Sequence, residues 1–304
     1  IYIICYLIYL LKKKLKPKNS LDDDINIGLM KPYIENQIKF CNNFDKYINQ
    51  KYEEHINLYD VTYGELKYRM YIYKVRNFIL GQFKEHGTFE KEVGDNITEA
   101  LKFYASKNNI KNNKDIMILD IGGNIGWYPS LLGRYGYTIL SFEALEKNNY
   151  VAKKNYCLIN KDSNVIIITK GLGVEEKTCY YYYNRNNEGN GMVVCDDRAK
   201  YNKIGEFIKE NEVEITTLNT FMPYLSNKNI ALMKLDVEGN ELKVLEGGKE
   251  LITKYHVPFI VLEFSPAFMK YLGFNARDLA QFLVDNGYKI TINLKRSEER
   301  RVGK

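Results

Sequence analysis

The sequence predicts an α/β fold, a doubly wound and mostly parallel sheet with helices on both faces. From residue 116 onward, short β-rich runs alternate with helical segments. The segments between the runs are long enough to hold helices, and helical crossovers are what join parallel strands. Turns rich in glycine or acidic residues follow several of the runs, at the position where open α/β sheets bind their ligands.

Six runs are predicted to be strands of this sheet. In chain order they read IMILDI, TILSFE, NVIIIT, IALMKLD, FIVLEF and YKITIN. Residues 175–194 interrupt the alternation of strands and helices. Their sequence includes YYYYNRNNEGNGMVV, which predicts an antiparallel excursion with a glycine-rich turn.

The chain before the sheet is divided into two segments. Residues 1–19 hold the apolar run IYIICYLIYLL and the basic run KKKLKPK, which we interpret as a partial membrane anchor with its basic flank. A helix of about 11 residues rises only about 16 Å, too short for a hydrocarbon core of about 30 Å, so a buried apolar segment is the alternative. Residues 20–110 are predicted to form a helical cap, with helices at residues 33–52, 68–83 and 97–106.

The remaining chain is divided into a main domain and a tail. The main domain is expected at residues 111–295, ending in the strand-like KITINLK. Residues 296–304, RSEERRVGK, do not continue that pattern and are interpreted as a non-native tail. This interpretation predicts that the natural protein continues beyond Lys295.

The positive charge lies near the two ends of the chain. The formal net charge is +6, but residues 20–295, which exclude both ends, hold nearly equal numbers of basic and acidic residues. A near-neutral central domain does not favour a polyanionic substrate, so no nucleic-acid partner is expected.

The cysteines and histidines indicate neither a metal site nor a disulfide framework. The five cysteines are widely spaced and form no CxxC pair, and the three histidines are scattered. We therefore expect reduced core thiols in a reducing compartment and no metal ligands. The residues are Cys5, Cys41, Cys157, Cys179, Cys195, His55, His86 and His256.

The expected location follows from the same N-terminal segment. If residues 1–11 are an anchor, the lysines that follow them place the catalytic domain in the cytosol, and without an anchor the protein is expected in the cytoplasm. The sequon Asn96-Ile97-Thr98 argues for the opposite side of the membrane.

A glycine-rich turn is the strongest functional signal. Asp120, Gly122, Gly123, Asn124 and Gly126 directly follow the run IMIL and precede a helical segment. Glycines at a strand-to-helix turn let the backbone approach a ligand closely. The DxGxNxG spacing departs from the GxGxxG of dinucleotide sites and favours an adenosylmethionine site, and a purely structural turn is the alternative.

Acidic residues follow three further strands. Glu143 ends the second strand, where a carboxylate can accept hydrogen bonds from ribose hydroxyls. Asp236 and Glu238 follow the fourth strand, and Glu263 closes the next one. Glu241 is explained by its place in the first turn of a helix, where acids complement the helix dipole.

These motifs resemble, in order, those of the FkbM-like methyltransferases. The motifs of that family look like DIGANIG, FEP, an Asn-rich helix, KxDxEGxE and a strand ending in Glu. The corresponding segments of this chain are DIGGNIG, FEA, KLDVEGNE and VLEF. Gly87-Thr88-Phe89-Glu90 resembles the upstream acidic element of the family. Ala144 and Asn219 depart from the usual Pro and Asp, and the second change leaves that loop's chemistry open.

The resemblance implies a Rossmann-like class I methyltransferase that uses S-adenosylmethionine. Asp120, Gly122, Gly123, Asn124, Gly126 and Glu143 are then the cofactor-binding residues. Asp236 or Glu238 would accept the proton of an acceptor hydroxyl, and Glu90 and Glu263 would orient the substrate. In methyltransferases of this fold the last two strands form a hairpin, so we expect the final strand to be missing and a sheet edge to be exposed.

The predicted reaction is O-methylation of a hydroxyl on a sugar, a glycan or a small metabolite. Two alternatives stay open. A nucleic-acid methyltransferase would use the many tyrosines for stacking, and a non-catalytic binding module would keep the fold without turnover. A nicotinamide-dependent dehydrogenase is disfavoured because the turn lacks its glycine spacing.

Overall fold

The structure is a computed structural model that describes residues 3–8, 23–43, 50–74, 78–159, 164–184, 187–195 and 207–292. The strands are β1 (Ile3–Ile8), β2 (Ile56–Tyr63), β3 (Leu66–Tyr73), β4 (Ile116–Ile121), β5 (Thr138–Phe142), β6 (Val165–Ile168), β7 (Gly171–Leu172), β8 (Lys177–Asn184), β9 (Asn187–Val194), β10 (Phe207–Thr216), β11 (Asn229–Leu235), β12 (Phe259–Phe264) and β13 (Lys289–Ile292). The α-helices are α1 (Asp23–Asn42), α2 (Gln50–Glu53), α3 (Phe78–His86), α4 (Lys91–Lys107), α5 (Trp127–Arg134), α6 (Glu146–Cys157), α7 (Met222–Leu225), α8 (Glu241–Gly247), α9 (Pro266–Tyr271) and α10 (Ala276–Asp285).

The central sheet has the predicted doubly wound architecture. Its strand order is β13-β1-β12-β11-β4-β5-β6. The strands β12, β11, β4, β5 and β6 pair in parallel. The predicted fold class is therefore confirmed, and the carboxyl ends of these five strands meet at one edge.

The core strands are mostly apolar because both faces of the sheet are covered. All six residues of β4 are buried, and its five apolar residues are divided between two apolar clusters. Leu119 faces the cluster that includes residues of α1, α7, α8 and α10. Ile118 faces the cluster that includes residues of α3, α4, α5 and α6. Parallel strands between two helical layers read as continuous apolar runs, which is why the sequence identified them.

The segment before the sheet is less helical than predicted. Residues 68–73, expected to be helical, belong to β3, which pairs antiparallel with β2. Met70 and Ile72 are buried while Arg69 is exposed, so burial has the period of a strand. Residues 97–106 do lie within a helix, α4, and α1 covers the first part of the range 33–52.

The structure does not support the expected membrane anchor. Ile3–Ile8 form β1, which pairs antiparallel with β12 on one side and β13 on the other. In the described residues no helix is both long and apolar enough to cross a membrane. A short apolar run fits a central strand as well as a helix, and tertiary pairing decides between them. Residues 9–19 lie outside the described residues, as do residues 296–304.

The sheet edge that we expected to be exposed is occupied. The strand β1 lies between β12 and β13 and pairs with both. The edge of β12 that was expected to be exposed is therefore covered by β1. The prediction was wrong because it considered only strands that follow β12 in the chain.

The insertion after β6 contains the predicted antiparallel pair, which belongs to a second sheet. Its order is β7-β10-β8-β9, and β8 and β9 pair antiparallel. Gly189 and Gly191, which were expected in a turn, lie within the strand β9. Gly191 is needed for packing: a Cβ at this position would lie 1.9 Å from the hydroxyl oxygen of Tyr181.

The expectation of reduced thiols is wrong for four of the cysteines. A disulfide joins Cys41 at the end of α1 to Cys157 at the end of α6, and another joins Cys179 in β8 to Cys195 after β9. Their Cα atoms lie 5.4 and 4.3 Å apart. The spacing of the cysteines along the chain did not predict this pairing, because the partners come close together only in the folded protein. Disulfides persist in oxidising compartments, which does not support a cytosolic location.

Candidate functional site

A crevice opens at the carboxyl ends of β4, β5 and β11, with the insertion sheet as one wall. It encloses about 930 Å³ of empty space, part of it open to solvent. Its lining includes Gly122, Asn124, Glu143, Tyr181, Asp236 and Glu238.

Gly122 brings two turns into contact at the floor of the crevice. Its φ is +80°, and a Cβ would lie 1.7 Å from the carbonyl oxygen of Asp236. No side chain fits there, so this position requires glycine. The amides of Gly122 and Gly123 both donate to the carbonyl oxygen of Phe142, at 2.9 Å each. The turn after β4 is therefore held against both β5 and the segment after β11.

Glu143 faces this turn. Its Oε2 accepts a hydrogen bond of 2.7 Å from the backbone amide of Asn124, and its Oε1 accepts one of 2.8 Å from the amide of Leu145. The residue is only 7% exposed. Burial raises the pKa of the carboxyl, and the two backbone hydrogen bonds act against that rise. A carboxylate oxygen can accept more than one hydrogen bond, so both oxygens keep capacity for a ligand.

The other three residues expected to bind the cofactor lie behind the turn. Asp120 is completely buried, and its Oδ2 accepts a hydrogen bond of 2.7 Å from the hydroxyl of Ser141. A Cβ on Gly123 would lie 2.2 Å from that hydroxyl oxygen, and one on Gly126 would lie 3.2 Å from Ala152. None of the three lines the crevice. Their position lets them shape the turn but gives them no contact with the open space.

Three predicted acids converge beside the turn. Ligand oxygens of Asp236, Glu238 and Glu263 all lie within 4.8 Å of one another. The carboxyl groups of Asp236 and Glu263 share a hydrogen bond. Asp236 and Glu238 line the crevice, whereas Glu263 lies behind them at the end of β12. These side chains were expected at one edge of the sheet, but a cluster this tight was not predicted.

The pKa values of the three carboxyl groups are shifted in opposite directions. Burial and the charge of Asp236 raise the pKa of Glu263 to about 11. Burial and the same charge raise the pKa of Glu238 well above its ordinary value. Burial acts to raise the pKa of Asp236 as well, but Lys234 and the hydrogen bond from Glu263 lower it overall. Three carboxylates at this spacing could alternatively hold a divalent cation through their oxygens.

Lys234 organises the site and was missed by the sequence analysis. Its Nζ donates to the carbonyl oxygen of Gly122 at 3.0 Å and to Oδ2 of Asp236 at 3.1 Å. It also lies 3.9 Å from Oδ1 of Asp120. Burial acts to lower the pKa of this ammonium group, but the neighbouring acids raise it overall. The spacing of two residues between Lys234 and Asp236 could have predicted this contact, because side chains two residues apart on a strand lie on the same face.

Glu90 approaches the cluster from the start of α4. Its Oε2 accepts a hydrogen bond of 2.7 Å from the hydroxyl of Tyr128. Burial raises the pKa of Glu90, and Asp236 raises it further. Glu90 does not line the crevice, so the structure places it next to the acidic cluster but not in contact with the open space.

Glu241 and Asn240 hold the loop that carries the acids. Oε1 of Glu241 accepts hydrogen bonds from the amides of Gly239 and Val237, at 3.1 and 3.3 Å. This agrees with the predicted role of Glu241 at the start of a helix. Burial raises its pKa to about 7. Nδ2 of Asn240 donates to the carbonyl oxygen of Val193 at 3.0 Å and ties the loop to β9.

Comparisons with known proteins cover the region that contains this site. A family model described as the methyltransferase FkbM domain matches residues 120–290. Methyltransferase 1 of Beauveria bassiana (strain ARSEF 2860) is 30% identical over 146 residues, which is 44% of this chain and 58% of that protein. The chain therefore spans less than two thirds of that relative's length. No solved structure matches. The matched region includes Glu143 and Asp236 but begins after Glu90.

Proposed function

Because the chain belongs to the FkbM methyltransferase family, we propose that it transfers a methyl group from S-adenosylmethionine to a hydroxyl oxygen of a sugar, a glycan or a small metabolite. The hydrogen bond between the amide of Asn124 and Glu143 carries this proposal. It sets a buried carboxylate beside a glycine turn that leaves room for a ligand. An adenosyl group needs both features.

The residues of the crevice fit the adenosyl group. Oxygens of Glu143 would accept hydrogen bonds from the ribose hydroxyls, since each already accepts only one from the backbone. Gly122 and Asn124 would lie against the amino-acid end of the molecule. When bound, S-adenosylmethionine would supply an electrophilic methyl carbon attached to a sulfonium centre.

Asp236 is the residue best suited to take the proton of the acceptor hydroxyl. It is the ionised member of the cluster, because Lys234 donates to its Oδ2. A hydroxyl is a weak nucleophile, and a carboxylate that accepts its proton during the attack contributes about 10²- to 10⁴-fold. The protonated Glu238 would then orient the acceptor as a hydrogen-bond donor. Glu90 and Glu263 would support this arrangement from behind, rather than by contact with the acceptor.

The acidic cluster also bears on the class of acceptor. The carboxyl groups of Asp236 and Glu238 next to the reacting position favour a neutral hydroxyl compound over a phosphate-rich chain. This supports a small-molecule or glycan acceptor and gives no reason to expect a nucleic-acid partner.

Calorimetry with S-adenosylhomocysteine tests the proposal. The intact chain should bind this product, and Glu143→Gln should weaken binding by about 10-fold or more, the value of a hydrogen bond to a charged group. Glu146→Gln is a matched control, because Glu146 is exposed three residues further along and does not line the crevice. Absence of binding by the intact chain, or equal binding by Glu143→Gln, would contradict the proposal.

A further inference from the structure

The insertion sheet delivers one tyrosine into the crevice. Tyr181 lies in the run Tyr180–Tyr183 on β8, and it is 7% exposed and lines the crevice. Its ring crosses β9 at Gly191, where a Cβ would lie only 1.9 Å from the hydroxyl oxygen. Any other residue at position 191 would displace the ring. Gly191 therefore fixes where the hydroxyl of Tyr181 lies.

The hydroxyl of Tyr181 has no hydrogen-bond partner within the described part of the chain. Burial first, and then the charges of Glu143 and Glu238, raise the pKa of this hydroxyl well above its ordinary value. The group is therefore a neutral donor between the ribose-binding acid and the acidic cluster, and it faces a space where a ligand would bind.

The wall that carries Tyr181 is held in place at several points. The disulfide between Cys179 and Cys195 joins the two strands next to Tyr181. Asn240 donates to the carbonyl oxygen of Val193, which pairs with Tyr181 in the hairpin. These restraints hold the hydroxyl in one position, so little order has to be gained when a ligand binds.

We propose that the hydroxyl of Tyr181 donates a hydrogen bond to a ribose hydroxyl of the bound adenosyl group, so that the insertion completes the site begun by Glu143. This inference rests on the proposed function. Glu143 is an acceptor and Tyr181 is a donor as well as an acceptor, and a ribose diol presents two hydroxyl groups that can satisfy both. The insertion would thus be part of the donor-binding site rather than a peripheral decoration.

The test compares Tyr181→Phe with Tyr182→Phe by calorimetry, using disulfide-bonded protein and S-adenosylhomocysteine. Tyr182 alternates to the other face of β8, where it packs near Leu272, and it does not line the crevice. We expect Tyr181→Phe to weaken binding about 3- to 10-fold, the range of one neutral hydrogen bond, with the melting temperature unchanged. Tyr182→Phe should bind like the unchanged chain.

A ligand series separates a ribose contact from a general effect on the wall. The penalty of Tyr181→Phe should persist with adenosine and disappear with 2′,3′-dideoxyadenosine, which lacks both ribose hydroxyls. Equal affinity of Tyr181→Phe and the unchanged chain, or the same penalty with the dideoxy compound, would overturn the inference while leaving the proposed function standing. Failure of the unchanged chain to bind any of these ligands would overturn both.

Discussion

The backbone amide of Asn124 donates a hydrogen bond of 2.7 Å to Oε2 of Glu143, and it does so from a left-handed conformation with φ at 48°. The conformation aims the amide at the carboxylate, so the turn after β4 and the acid that ends β5 depend on each other. Asparagine tolerates this region of φ and ψ better than most residues do.

Replacing Asn124 should therefore separate conformation from side-chain chemistry. Asn124→Ala should lower the free energy of unfolding by about 1 kcal/mol, because alanine pays the cost of a left-handed φ. It should also weaken the binding of S-adenosylhomocysteine. Asn124→Gly should keep the stability and most of the affinity, because the amide is retained. Denaturant unfolding and calorimetry measure both, and a glycine variant as weak as alanine would contradict this reading.

The proton on Glu263 predicts a stability that depends on pH. Its folded-state pKa is raised to about 11 from an ordinary value of 4.5, so the folded state binds more protons than the unfolded state between these values. The contribution of this group to stability is thus fully present below about pH 4.5 and is lost as the pH rises towards 11. Glu263→Gln should stabilise the protein at pH 8 by at least about 1 kcal/mol relative to its effect at pH 5.

Unfolding of both proteins in urea at the two pH values measures this difference. Glu250→Gln serves as a control, because Glu250 is exposed on the surface. The same small effect of Glu263→Gln at both pH values would show that the carboxyl group is ionised in the folded protein.

Protons rather than a cation should relieve the repulsion between Asp236, Glu238 and Glu263. Asp236 already has a cationic partner in Lys234 at 3.1 Å, which lowers its need for a metal ion. Millimolar Mg²⁺, Mn²⁺ or Ca²⁺ should therefore leave the melting temperature unchanged, and a chelator should not weaken the binding of S-adenosylhomocysteine. A rise in melting temperature that Glu238→Gln abolishes would instead assign the cluster to a metal ion.

The two disulfides should contribute unequally to stability. The bond between Cys41 and Cys157 spans 116 positions, and the bond between Cys179 and Cys195 spans 16. In the chain-entropy model, closing these loops stabilises the folded state by about 5 and about 3 kcal/mol. Unfolding of the Cys41→Ser/Cys157→Ser and Cys179→Ser/Cys195→Ser variants should show the larger loss for the first pair. Unfolding that does not respond to a reducing agent would contradict both assignments.

The sequence predicted those parts of the site whose position is determined by neighbouring parallel strands. Glu143 was expected opposite Gly122 because the carboxyl ends of parallel strands meet at one edge, and the two residues do line one crevice. The sheet itself was predicted from short apolar runs that alternate with helical segments, as in a sheet covered on both faces. The protonation states of Glu238 and Glu263 were not predicted, because they depend on distances of a few ångströms between three separate strands and loops.

Contacts between distant segments escaped prediction for the same reason. Tyr181 is one of four consecutive tyrosines, and only the pairing of β8 with β9 shows that it faces the crevice. The strand β3 was expected to be helical because its aromatic residues also satisfy a helical period. Cys41 and Cys157 gave no sign of pairing, since nothing in the chain between them indicates that α1 and α6 end side by side.

The place of β1 in the sheet constrains how the protein can be synthesised and folded. Its partners in β12 and β13 lie about 250 residues or more further along the chain. At about 5–20 residues per second, a ribosome needs roughly 10–50 s to produce them. During that time the apolar segment IICYLI lacks these partner strands, so it is exposed to aggregation and to chaperones until β12 and β13 have been synthesised.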